Sequence, residues 1–145
     1  MNSNTLNSLF VTRAGAGLSV IRILVGLIFM AHGAQKLFGL FGGYGLEGTG
    51  QWMESIGLAP GYLMALLSGS AEFFGGLALL IGLLVRPAAL ALTVTLVVAI
   101  FSVHIGNGLF MSNNGYEFAL ALMAGTVAVL IEGAGRFSLD RLIAR

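Results

Sequence analysis

Four apolar segments, at residues 18–38, 62–85, 88–105 and 116–132, occupy more than half of this chain. The two longest match the roughly 20 residues a helix needs to cross a bilayer, and the other two come within a few residues of it. Of its 145 residues, 57% are hydrophobic and 9% are charged. A soluble domain carries about 25% charged residues, and a globular core cannot absorb this much apolar surface. The expected fold is therefore all-α: an integral membrane four-helix bundle, with residues 1–145 forming one transmembrane domain.

Charge sets the expected orientation. Arg13 and Arg22 lie at the start, Arg86 between the second and third segments, and Arg136, Arg141 and Arg145 in the tail. Residues 39–60 and 106–115 contain no Lys or Arg. The positive-inside rule then places the N-terminus, the C-terminus and Arg86 in the cytoplasm. Arg86-Pro87 is expected to form a tight connection that makes the second and third spans antiparallel neighbours. Within the glycine-rich loop, residues 49–56 suit a short surface helix capped by Thr49, with Trp52, Met53 and Ile56 on one side. Ile23–Phe29 followed by small residues also resembles the apolar core of a cleaved signal peptide. The apolar run continues beyond it, and Arg13 already supplies a basic flank, which favours a retained span.

The formal net charge of +1 argues against nucleic-acid binding, which needs a basic face. The absence of cysteine excludes a redox pair, a disulfide, a thiolate metal site and a cysteine nucleophile. No phosphate loop or dinucleotide fingerprint is present, because the glycine cluster follows a membrane span rather than a strand.

The ionisable residues within the apolar segments carry most of the functional information, because a charge costs about 2.5–3.5 kcal/mol at mid-membrane. Counting about 1.5 Å of rise per residue from the span centres puts Lys36, His104 and Glu117 roughly 10–12 Å outward of the midplane. Arg22 and Glu132 fall at a similar depth on the inner side, and His32 and Glu72 lie nearest the middle. The count predicts an inner pair, Arg22 with Glu132, and an outer cluster of Lys36, Glu117 and His104. Glu72 would face His32 or reach toward Arg22.

Helical spacing supports inward placement. Arg22, Gly26, Phe29, Gly33 and Lys36 share one stripe. Ala71, Gly75, Ala78 and Gly82 form a small-residue stripe with Glu72 beside it, and Glu117, Ala121, Ala128 and Glu132 share a face with Gly125. Small residues are what membrane helices use to approach one another.

Glu72 and His32 are the candidates for proton chemistry, and Arg22, Lys36, His104 and Glu117 are the candidate ligand-binding groups. Structural roles compete with these. Arg22 and Glu132 suit a structural pair, Lys36 an interfacial anchor, and His104 a hydrogen bond. A haem held by His32 and His104 is disfavoured, since their depths differ by several Å. A metal site built from Glu72, His32, His104 and Glu117 has no ligand spacing to support it, so no metal is expected. No covalently bound cofactor is expected either. A quinone would suit a pocket lined by Phe29, Met30 and Phe73, although ordinary core packing explains those residues equally well.

The run RILVGLIFMAHGAQKL, with Arg22, Gly26, Gly33 and Lys36, is followed by AEFFGGLALLIGLLVRPAALAL, with Glu72, Gly75, Gly76 and Gly82. The chain closes with EGAGRFSLD. In this order and spacing the motifs resemble the DoxX family of small four-helix bacterial membrane proteins, over roughly residues 19–143. The resemblance implies the bacterial cytoplasmic (inner) membrane and a link to quinol-oxidase or thiosulfate:quinone systems. Relatives are also labelled oxidoreductases, some tied to oxidative or thiol stress, and one animal branch looks like a receptor-assembly chaperone. Carried over by position, Arg22, Lys36 and Glu72 are the residues of interest. The expectation is a membrane subunit that supports quinone-linked redox chemistry with a partner redox subunit or as a homo-oligomer. The alternatives are a non-enzymatic scaffold or assembly factor for a membrane partner, and a small-molecule carrier.

Overall fold

A computed structural model describes residues 15–144, whose regular elements are all helices, with no strand among them. Arg13 and Arg145, used above for orientation, lie outside that range. Helix α1 is Ala16–Phe38, α2 is Gly45–Ser55 and α3 is Gly61–Ile81. Helix α4 is Val85–Ala99 and continues through a π turn, Ile100–His104, and a 3-10 turn, Ile105–Asn107. Helix α5 is Glu117–Glu132, and a short α6, Leu139–Ile143, ends the described chain.

Three helical runs are long and apolar enough to cross a membrane: Ala16–Phe38, Gly61–Ile81 and Val85–Asn107. The fourth expected span, α5, has 16 residues, or about 24 Å of helix. Its buried Ala119, Leu122 and Val129 join Leu92, Leu96 and Ile100 of the α4 run in the core, together with Val25, Phe29 and Leu79. Thr93 Oγ1 lies 2.9 Å from Thr126 Oγ1 and ties α4 to α5. Leu24, Leu27, Phe74, Leu90, Val94 and Phe101 remain exposed on the outer faces, where hydrocarbon is their natural solvent.

The boundary between the second and third spans differs from expectation. The break falls at 82–84, where Gly82 and Leu84 both adopt left-handed backbone (φ 74° and 52°). Arg86 and Pro87 lie inside the first turn of α4, where proline's missing N–H has no helical partner to lose. The surface helix also starts earlier than expected. It begins at Gly45, so Thr49 is a buried residue within it rather than its cap. Met53 is buried, while Trp52 and Ile56 are exposed. The Glu54 carboxylate accepts from the Gly61 N–H at 2.6 Å, so α2 caps α3.

The most extensive packing joins α1 to α3, which run antiparallel. A Cβ built on Gly26 would stand 2.7 Å from the carbonyl oxygen of Gly76, and one on Gly76 would stand 2.6 Å from that of Gly26. Gly33 faces the backbone of Phe73 just as closely. Gly75 turns the other way and packs on Leu92 of α4. The neighbouring glycines of the pair therefore serve different helices, and Gly69, Glu72 and Gly76 share the face that meets α1.

Gly26→Val forces α1 away from α3 and is expected to cost about 1–3 kcal/mol. Gly17 has open space around it, so Gly17→Ala is expected to be neutral or slightly stabilising. Thermal unfolding of the two variants in detergent checks the contrast, and equal melting temperatures would refute the close approach.

Candidate functional site

Glu72 reaches the α1 interface from the middle of α3. The antiparallel register places Gly69 against Lys36 and Leu37, with Glu72 one turn deeper. Lys36 therefore bends inward, and its Nζ donates to Glu72 Oε2 at 2.5 Å. The side chains are 23% and 9% exposed respectively. This is the one salt bridge among the described residues. His32 sits one helical turn before Lys36. It is half-buried, with its ring tilted against Phe118 of α5 at a centroid distance of 6.1 Å. Phe73, next to Glu72 in the chain, has its ring edge-on to Phe38 and to Phe74.

These contacts correct the expected pairings. Lys36 does not join Glu117 and His104, because its long stem reaches a carboxylate deeper in the adjacent helix. Glu117 accepts instead from the Met111 N–H at 3.1 Å. His104 Nδ1 meets the Asn114 carbonyl oxygen at 2.9 Å, and Asn107 donates to the same oxygen at 3.1 Å. The predicted outer cluster is thus a set of local loop contacts, made by backbone groups within ten residues of each side chain. Among the described residues, no three His, Asp or Glu side chains gather in a metal-sized group.

The predicted inner pair is also replaced. Glu132 is exposed, whereas Arg22 is fully buried and bonded to backbone carbonyls. Its Nε donates to Ala134 at 2.9 Å. One terminal nitrogen donates to Leu79 and to Leu80, the latter at 3.2 Å, and the other donates to Phe137. Leu79 and Leu80 belong to the last turn of α3, whose carbonyls have no helical partners and form the negative end of the helix dipole. The guanidinium fork suits several fixed acceptors at once. Arg22 therefore closes the end of α3 and pins the segment after α5.

Asp140 completes this junction, and the sequence reading assigned it no role. Its two carboxylate oxygens accept from the Leu84 and Val85 N–H groups at 2.8 and 3.0 Å, at the positive N-terminus of α4. Its own N–H donates to the Gly82 carbonyl at 2.8 Å. Gly82 is tightly enclosed, since a Cβ there would lie 2.5 Å from that of Ser138 and 2.9 Å from an Arg22 nitrogen. The one hint in the sequence was a lone carboxylate within an otherwise basic tail.

Two open grooves flank the bundle. One, of about 520 Å³, lies between α2 and α3 and is lined by Glu47, Gln51, Glu54 and Tyr62. The other, of about 560 Å³, lies beside the Asp140 junction. Lys36 and Glu72 line neither of them.

The architecture defines an all-helical membrane protein with an ion pair buried between two of its spans. Comparison with known proteins gives the family. The DoxX family profile matches residues 17–105. The chain is 35% identical to "Inner membrane protein YqjF" of Escherichia coli (strain K12) over 133 residues, covering 88% of this chain and 92% of that protein. It is 31% identical to "Putative oxidoreductase CatD" of Bacillus subtilis (strain 168), covering 88% and 87%. An uncharacterized membrane protein of Mycobacterium tuberculosis is 33% identical, covering 86% and 80%. No solved structure matches significantly. The chain belongs to the DoxX family and is a multi-pass protein of the inner membrane.

Glu72→Ala leaves the Lys36 ammonium without its partner and is expected to destabilise the protein by about 3 kcal/mol. The double change Lys36→Met with Glu72→Leu removes both charges and is expected to recover most of that loss. Denaturant titration of both variants in mixed micelles measures the coupling, and a double variant no better than the single one would contradict the pair. Arg22→Lys cannot satisfy the same fork of carbonyls and is expected to cost about 2 kcal/mol. It should also speed tryptic cleavage after Arg136, and unchanged cleavage would show that Arg22 does not hold the tail.

Proposed function

We propose that this protein is a membrane subunit supporting quinone-linked redox chemistry, with Glu72 as its proton-handling group. The observation that carries the reading is the Lys36–Glu72 ion pair, buried between two membrane spans with His32 one turn away. Two isolated charges at such a depth are costly, and intramembrane carboxylates are a recurrent element of proton relays. The name of the Bacillus subtilis relative, an oxidoreductase, points in the same direction.

In this reading, reduction of a quinone to quinol takes up two electrons and two protons. A partner redox protein supplies the electrons, because this chain has no thiol to supply them. Glu72 holds a proton when its bond to Lys36 opens. The freed Lys36 ammonium then donates to a ligand carbonyl, and His32 is placed to exchange protons with Glu72. Arg22 acts at a distance, by fixing the α1–α3 register on which the pair depends. His104 and Glu117 hold the loop next to α5 and take no part in the chemistry.

The same proposal includes the topology. Helix α5 serves as a fourth span, and its short length is accommodated by local thinning of the bilayer or by snorkelling of flanking residues. Both termini and Arg86 lie on the cytoplasmic side, where the arginines concentrate.

Glu72→Gln keeps the size of the side chain and removes its titration. At matched protein level it is expected to slow quinone reduction in membrane vesicles about ten-fold or more. Extraction of the purified wild-type protein is expected to yield bound quinone. Loss of neither rate nor bound quinone in a correctly folded Glu72→Gln protein would overturn the proposal.

A further inference from the structure

The Asp140 junction leaves a charged groove that neither the fold nor the proposed chemistry uses. Arg86, Arg136 and Arg141 line its basic side, and Glu132 and Asp140 also border it, in a volume of about 560 Å³. Both Asp140 oxygens are already engaged with the N-terminus of α4. Glu132 forms no ion pair among the described residues, and neither do the three arginines. Arg86 spends one donor on the Ile131 carbonyl at 3.2 Å, and its guanidinium lies over Gly133. Three guanidinium groups against two carboxylates leave one net positive charge, which matches a singly charged phosphodiester.

The surroundings select the source of that phosphate. Leu84 borders the groove, Phe137 and Leu142 follow its Arg136 and Arg141 directly in the chain, and Ile143 comes next; all four are strongly exposed. They lie where membrane-length helices end and begin, with Ile81 closing α3 and Val85 opening α4. Apolar side chains at that depth insert among acyl chains while neighbouring arginines stand at headgroup level. Basic pockets between helix ends are a known form of anionic-lipid site, and arginine forks match phosphate oxygens in pairs.

We infer that this groove binds the phosphodiester headgroup of an anionic phospholipid, with Arg136 and Arg141 as the principal ligands and Arg86 as a positioned third. The site depends on membrane insertion and is independent of the quinone reading. It lies at the Arg22 end of α1, away from Lys36 and Glu72.

The test uses the purified full chain in neutral detergent, titrated with phosphatidylglycerol, phosphatidylcholine or inorganic phosphate. Lipid retention is read by native mass spectrometry and stabilisation by thermal unfolding. One phosphatidylglycerol is expected to be retained per chain and to raise the melting temperature, whereas phosphatidylcholine and inorganic phosphate have no such effect. The exposed pair Arg136→Gln with Arg141→Gln is expected to weaken phosphatidylglycerol binding about ten-fold or more. Glu132→Gln removes an opposing charge that borders the groove and is expected to strengthen it. Equal stabilisation by inorganic phosphate would overturn the lipid assignment. Equal retention of phosphatidylcholine, or unchanged binding in both variants, would overturn the site.

Discussion

The close approach of α1 and α3 is the contact on which the rest of the molecule depends. Membrane helices have no hydrophobic force driving them together, so association rests on packing distance and on hydrogen bonds between helices. Gly26 against Gly76, and Gly33 against Phe73, bring the two backbones into direct contact. That distance lets Lys36 reach Glu72 and lets Arg22 reach the last carbonyls of α3. Both charges thereby find partners in a medium that would otherwise solvate them poorly.

The two buried cations solve the same problem differently. Lys36 meets a carboxylate, giving an ion pair whose strength depends on one proton. Arg22 meets backbone carbonyls, acceptors that carry no titratable proton. This division suits a chemical role for the first and an architectural role for the second. The Arg22 junction also recruits Ser138 and Asp140 from the tail. Residues from two distant parts of the chain, α1 and the tail, thereby hold the turn between α3 and α4, where Gly82 and Leu84 are left-handed.

The spans were legible because length and hydropathy are local properties, and three of the four segments are helices of membrane-spanning length. Burial of Arg22, Gly26, Phe29 and Gly33 on one stripe was legible for the same reason, since helical spacing fixes which residues share a face. The pairings were not. Counting depth from span centres treats every side chain as a point at its own Cα. Lys36 carries its charge inward along a long stem, and the antiparallel register sets Gly69 against Lys36, with Glu72 one turn further along α3. His104 and Glu117 were assigned to a long-range cluster. A π turn and an irregular loop supplied nearer partners, Asn114 and Met111.

The sequence by itself determined that this chain enters a membrane, and it singled out Glu72 as the carboxylate placed deepest in an apolar segment. Composition and segment length decide those matters, because bilayer thickness and the cost of a buried charge apply to any chain. The tertiary structure alone decided that Lys36, rather than His32 or Arg22, neutralises Glu72. It also decided that Arg22 serves backbone carbonyls and that Asp140 caps α4. Those assignments depend on helix register and on close backbone approach, which arise only when residues distant in sequence pack together.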